Sequence, residues 1–181
     1  MVDPIAAWHT EHRRFSQLLD FLERETTAFH EGGEPDYALM RDVVHYLRYV
    51  GDQYHHPRED VAFARLLERD PSLEPAIERL GQEHRVIARL GDALLDYLED
   101  ILRDVVVERR TVETTARSFL LCYRQHLEAE EEVIVPRAAQ VLTAADWEAV
   151  AKAGPGAPGS LVGHDVAARY RSLREQIAQT A

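Results

Sequence analysis

The chain has 181 residues, 45% of them apolar, with 21 basic and 32 acidic side chains and a formal charge of −11 when its nine histidines are neutral; it suffices for one domain with a sizeable core and is too short for two. Such acidity repels phosphate backbones and anionic lipid headgroups, which excludes nucleic acid and membrane surfaces as partners, and no apolar run approaches the roughly 20 residues of a membrane helix. The single cysteine, Cys122, excludes an internal disulfide, a thiolate zinc site and an iron–sulfur cluster held by this chain, and an N-terminus without the features of a secretory signal points to the cytoplasm.

Asp3-Pro4 reads as an N-cap followed by proline at the first helical position. Ile5, Trp8, Phe15, Leu18, Leu19 and Leu22 then recur with a helical period until Gly32-Gly33 ends the run. A second helix is predicted from about Asp36 through Leu39, Val43, Leu47 and Val50 to Leu66-Leu67. Asp70-Pro71-Ser72 is the next break, with Ser72 the expected cap of a third helix carrying Leu73, Ile77, Leu80, Ile87, Leu94, Leu98 and Ile101. Val105, Val106 and Val107 are β-branched but too few to make a sheet. A fourth helix runs from about Thr111 through Phe119, Cys122 and Leu127 towards Leu142. Thr143 to Asp146 resembles a capping motif for a short fifth helix holding Trp147, and 154–159 is a Gly/Pro-rich flexible break. Val166, Tyr170, Leu173 and Ile177 predict a tail helix that packs back. Helices of roughly 35–45 Å each, at 1.5 Å per residue, imply an all-α fold. The expected architecture is an antiparallel four-helix bundle over 1–150, followed by a linker and C-terminal helix over 151–181.

The histidines and glutamates repeat. His12 and His84 stand 72 positions apart, while His55 and His126, and likewise Glu59 and Glu130, stand 71 apart. Each half therefore holds one lone His, preceded by Glu11 or Glu83, and one His-x-x-x-Glu. Residues i and i+4 share a helix face, so His55 with Glu59 and His126 with Glu130 point together into the bundle. The other two helices supply His12 and His84 at matching depth. Two carboxylates placed between two ions can bridge them at the roughly 3.5–4 Å typical of two-metal sites. Imidazole and carboxylate without thiolate suit iron or manganese and also accept zinc or copper. Taken singly, each side chain has an ordinary reading: a lone His is more often a hydrogen-bonded or exposed residue, and the run Glu128-Ala129-Glu130-Glu131-Glu132 is more often a solvated face. Taken together, four His and two Glu buried without a metal would cost on the order of several kcal/mol per unpaired charge.

With its segments Glu11-His12, His55-His56-Pro57-Arg58-Glu59-Asp60, Glu83-His84 and His126 to Glu131 followed by Val133-Ile134-Val135-Pro136, the chain resembles the hemerythrin-like (HHE cation-binding) proteins over roughly residues 5–150. Leu142-Thr143 and Asp146-Trp147 are similar to that family's downstream pattern. The resemblance implies a four-helix bundle holding a non-haem di-iron centre with an oxo or hydroxo bridge, for which zinc or manganese can substitute. His12, His55, His84 and His126 would be terminal ligands and Glu59 and Glu130 bridges. Two departures stand out. Oxygen-carrying hemerythrins have a second histidine one turn from the third-helix ligand, where this chain has Leu80 and Ala88. The chain therefore resembles the four-His, two-Glu variant, with a coordination position left open for which His9 is one candidate, a supporting or surface role being its other reading. The carriers also put their fourth-helix carboxylate five residues after the His, the position of Glu131; the repeat favours Glu130. Pro57 disfavours helix at His56 and raises the question of which of His55 and His56 faces the metal; family position favours His55.

Exchanging two anionic ligands of the carboxylate-rich di-iron oxidases for neutral imidazoles favours ferrous iron. That fits a binder or sensor of O2, NO or peroxide, acting as a monomer or homodimer with a separate signalling partner. An enzyme of peroxidase-like, NO-reducing or iron–sulfur repair type is the alternative, and an iron-handling or storage bundle is the third. Around the ligands, Tyr123 and Cys122 border the expected pocket, Arg48, Asp52 and Arg137 lie one or two turns from ligands, and Tyr46, Tyr49 and Tyr54 are expected between helices. His30, His45 and His164 fall away from the ligand layer.

Overall fold

Asp3 accepts a hydrogen bond from the Ile5 N–H at 3.0 Å and Pro4 sets the first helical φ, so α1 (Pro4–His30) begins where its sequence requires. The computed structural model describes residues 3–153 and 161–179, with side chains from 166 onward in the second stretch. Among these residues there are seven further α-helices and no strand: α2 (Tyr37–Val50), α3 (His56–Arg69), α4 (Glu74–Leu102), α5 (Arg109–Ala129), α6 (Val135–Val141), α7 (Ala144–Lys152) and α8 (Leu161–Gln179). Gly32, at φ +87°, turns the chain after α1, and the Gly33 N–H returns to the Ala28 carbonyl at 2.8 Å. Asp36 caps α2 through the Leu39 N–H at 2.9 Å.

Three sequence expectations need correction. Ser72 is not the cap of the third long helix. Pro71 opens a 3₁₀ turn, Pro71–Leu73, and the residue before it, Asp70, caps that turn by accepting from the Ser72 N–H at 3.3 Å; α4 follows from Glu74. The second and fourth long helices are each interrupted by a π-turn, Gly51–His55 and Glu130–Ile134, ending two residues before Pro57 and Pro136. Proline has no N–H to return four residues back. The turn ahead of it widens, so that the His56 N–H reaches the Gly51 carbonyl and the Val135 N–H reaches that of Glu130, five residues back.

Helix α1 packs against α2 and α5, and α4 packs against the same two. Neighbours run antiparallel: Arg109 at the start of α5 donates to the carbonyls of Phe29 and His30 at the end of α1, while His9 near the start of α1 meets Glu131 beyond α5. Arg48 against Asp92 and His56 against His84 set the same sense for α2–α3 and α4. Two apolar clusters result. One contains Phe15, Leu18, Val50, Ile87, Tyr123 and Leu127, the other Trp8, Ala62, Phe63, Leu80, Ile134 and Val150. Each of the four long helical segments crosses from one cluster to the other, and at each crossing it carries a buried or nearly buried histidine.

The short helices brace this frame. A reciprocal capping box between Thr143 and Asp146 starts α7, which packs on α3 and sets Trp147 edge-on against Trp8, 6.1 Å between ring centroids. Helix α8 packs on α2 through buried Tyr170 and Leu173, with the Tyr170 hydroxyl donating to Gln17 at 2.6 Å. The Gly/Pro break at 154–159 and the side chain of His164 lie outside the described residues. Val106 is 98% exposed in the α4–α5 connection. No helix among the described residues is long and apolar enough to cross a membrane.

Candidate metal centre

Between the two apolar clusters lies a layer of polar side chains. His12 comes from α1, His55 from the end of the first π-turn, Glu59 from α3, His84 from α4, His126 from α5 and Glu130 from the start of the second π-turn. His12, His55, Glu59, His126 and Glu130 are all at most 3% exposed, and the His84 side chain is 11% exposed. The histidines meet in pairs across helices: His12 and His55 approach Nε2 to Nε2 at 3.1 Å, as do His84 and His126. Each carboxylate divides its oxygens between the pairs. Glu59 lies 2.7 Å from His55 Nε2 with Oε1 and 3.4 Å from His84 Nε2 with Oε2. Glu130 lies 3.4 Å from His12 Nε2 with Oε2 and 3.4 Å from His126 Nε2 with Oε1.

The outer nitrogens are held by a second set of carboxylates. His55 Nδ1 donates to Glu11 at 2.9 Å, His126 Nδ1 to Glu83 at 3.2 Å and His12 Nδ1 to Glu131 at 2.7 Å; Asp60 stands 3.9 Å from His84 Nδ1. With Nδ1–H directed outward, Nε2 is the nitrogen that faces inward and is left to serve a cation. Trp8 donates its Nε1–H to Glu59 Oε1 at 3.0 Å, and Arg58 fastens Glu11 with a 2.8 Å bond.

The electrostatics follow from this crowding. Burial opposes charge on His12, yet the carboxylates of Glu130 and Glu59, 3.4 and 3.7 Å from its Nε2, raise its pKa to about 10; burial likewise opposes charge on His55, whose pKa Glu59 and Glu11 raise to about 9. His126 is raised too, by Glu130 and Glu83 against its burial. Glu11, although buried, is drawn down to about 2 by His55 and Arg58, and Glu59 is held well below the usual carboxylate range by His55 and His12. His56 goes the other way, pushed down to about 4 by burial that Asp52 only partly offsets. A field that draws protons onto imidazoles to this extent favours any cation placed in it.

The donor set fits metal. Glu59 Oε2, both oxygens of Glu130 and Nε2 of His56 are buried without a hydrogen-bond partner. Buried polar atoms are seldom left so, and carboxylate oxygens facing inward imidazole nitrogens call for cations between them. The donors form two groups, His12, His55, Glu59 and Glu130 in one and His56, Glu59, His84 and His126 in the other, each with its atoms within 4.8 Å of one another.

All six residues singled out from the repeat meet in this layer. His55 and His56 are both buried, the widened turn bringing both inward. Glu131 sits on the outer side of His12, and His9, half-exposed, pairs with Glu131 at 2.7 Å rather than entering the layer. Arg137 is placed away from the ligands, bonded to Asp70 at 2.7 Å, because the π-turn before α6 rotates the helix out of register. Tyr49 and Tyr54 meet each other at 3.2 Å, and His30 pairs with Glu113. Sequence reasoning gave no role to Trp8, Glu11, Glu83 or Asp60. Three of these carried a signal, since Glu11 repeats as Glu83 and Asp60 as Glu131 in the register of the ligands.

The fold and this layer define a helical cation-binding protein. The sequence matches the family model of the hemerythrin HHE cation binding domain over residues 3–138, and the chain belongs to that family. No curated protein matches it significantly.

Proposed function

We propose that this protein is a hemerythrin-type four-helix bundle over residues 1–150, with 151–181 docked on it, that holds two iron ions and binds or senses O2, NO or peroxide in the cytoplasm. The observation that carries this reading is the division of Glu59 and Glu130 between two histidine pairs, with no hydrogen-bond partner for either Glu130 oxygen. His12 and His55 would hold one ion, His84 and His126 the other, and the two glutamates would bridge. Bound there, the ion pair supplies Lewis acidity and electrons for a small ligand.

The chain's own residues do the rest. Glu11, Glu83 and Glu131 keep the protons of His55, His126 and His12 on Nδ1 and so present their Nε2 atoms inward. Trp8 fixes the orientation of Glu59, while Phe15 and Phe63 flank His55 and His84 and keep water from the layer. A groove of about 470 Å³ lined by His9, His12, Arg13, Ser16, Arg124, Leu127, Glu128 and Glu131 opens beside His12, ample room for a diatomic or peroxide to approach that side of the layer. Four neutral ligands against two anionic ones favour the ferrous state, which supports binding over oxidation of unreactive C–H bonds.

Metal analysis of anaerobically purified protein, followed by absorption spectra on adding O2, NO and H2O2, tests this. Two irons per chain with a reversible band support binding. Catalytic loss of peroxide would instead make the protein an enzyme, and absence of an iron pair would overturn the reading.

A further inference from the structure

The six-ligand reading leaves one side chain of the layer unused. His56 is 7% exposed and its Nε2 has no hydrogen-bond partner. Its ring stacks on His84, 4.0 Å between centroids and 16° between planes, and crosses His126 edge-on at 5.9 Å. One of its ring nitrogens falls within 4.8 Å of donor atoms of Glu59, His84 and His126.

The surroundings are built to hold it there. Asp52 faces His56 Nδ1 at 3.6 Å, as a carboxylate stands behind Nδ1 of His12, His55 and His126. Asp52 is itself paired with Arg48, which reaches Asp92 on α4 at 2.9 Å. Two glycines make room. A Cβ at Gly91 would lie 2.2 Å from Arg48 Cδ, and one at Gly51 would lie 3.1 Å from His56 Cε1. Resting on the two-ion reading above, we infer that His56 is a fifth histidine ligand, binding through Nε2 the ion held by His84 and His126. That ion then has three imidazoles and the His12–His55 ion two, so the open coordination position belongs to the latter. The ligand missing at Leu80 and Ala88 on α4 is replaced from the neighbouring helix, through the π-turn that faces His55 and His56 inward together.

Proton NMR of the full chain loaded with Co(II) decides this. Each imidazole bound through Nε2 leaves an exchangeable Nδ1–H that the paramagnetic ion shifts far from the diamagnetic range. Five such signals are expected in the wild type and four in His56→Phe, which keeps the stack on His84. A chelator should strip one ion from His56→Phe roughly 10–100-fold faster than from the wild type. Four signals in the wild type overturn the inference and leave the six-residue site standing. Fewer than two Co(II) ions per wild-type chain overturn both. The wild-type count is decisive even where no His56 variant folds.

Discussion

Trp8→Phe isolates the contact that positions a bridging carboxylate. Trp8 is 7% exposed, its Nε1–H donates to Glu59 Oε1 at 3.0 Å, and its ring lies edge-on to Trp147, His12 and His55. A hydrogen bond to a charged group contributes about 1.5–3 kcal/mol. Trimming indole to phenyl in a closed core costs roughly 1–2 kcal/mol more for lost contact and cavity. Trp8→Phe should therefore destabilise the metal-free protein by about 2.5–5 kcal/mol in urea unfolding. A double-mutant cycle with Glu59→Gln removes the packing part, which is common to both arms. What remains is the difference between a charged and a neutral acceptor, about 1–2 kcal/mol of coupling. Because Glu59 is a proposed bridge, the same variant should weaken metal binding roughly 10–100-fold in chelator competition. A coupling below about 0.5 kcal/mol, the ordinary error of additivity, would refute the role given to Trp8.

Glu130→Ala and Glu131→Ala should separate cleanly: the first loses the metal pair by elemental analysis, whereas the second keeps both ions and binds them about tenfold more weakly, having lost only the support of His12 Nδ1. Chelating the metal should lower the melting temperature. Ligand present at 100 times its dissociation constant contributes about 2.7 kcal/mol, which in a chain of this size is roughly 5–10 °C by calorimetry. Thr143→Ala removes half of the α7 capping box and should cost about 1 kcal/mol in thermal unfolding with no change in metal content. Equal loss of metal in both glutamate variants, or an unmoved melting temperature after chelation, would count against the assigned layer.

The meeting of these histidines and glutamates in one layer was legible because its logic is helical and repeated. A face shared by His55 and Glu59, and again by His126 and Glu130, needs only the i, i+4 relation. What escaped depends on departures from a regular helix or on contacts distant in sequence. Two consecutive residues point about 100° apart on an α-helix, so His55 and His56 read as alternatives until the turn before Pro57 widens. Pro57 announced a disturbance, but not that the helix would carry on through an extra residue instead of bending. Arg137, two turns along from Glu130 in an unbroken helix, is carried away from the layer by the π-turn between them. Trp8 sits in a helical stripe of apolar residues, where a tryptophan reads as core. Its indole N–H finds its acceptor 51 positions away, and no pattern within one helix encodes that.

The repeat also explains why its two halves differ. Glu11 and Glu83, Asp60 and Glu131, and the six layer residues keep register, so the inner and outer carboxylates are nearly two-fold related. The symmetry fails at several places around the layer. Trp8 corresponds to Leu80, His56 to Leu127, and Pro57 to Glu128, so the π-turn at Gly51–His55 has no partner within α5. One half of the layer therefore acquires an additional imidazole stacked on His84, and the other acquires an indole N–H on Glu59 and a groove beside His12. A layer with two identical halves would offer a small ligand two equivalent positions. On the two-ion reading, the added imidazole beside His84 and the groove beside His12 would leave the open coordination position and the solvent approach on the same, His12–His55, side.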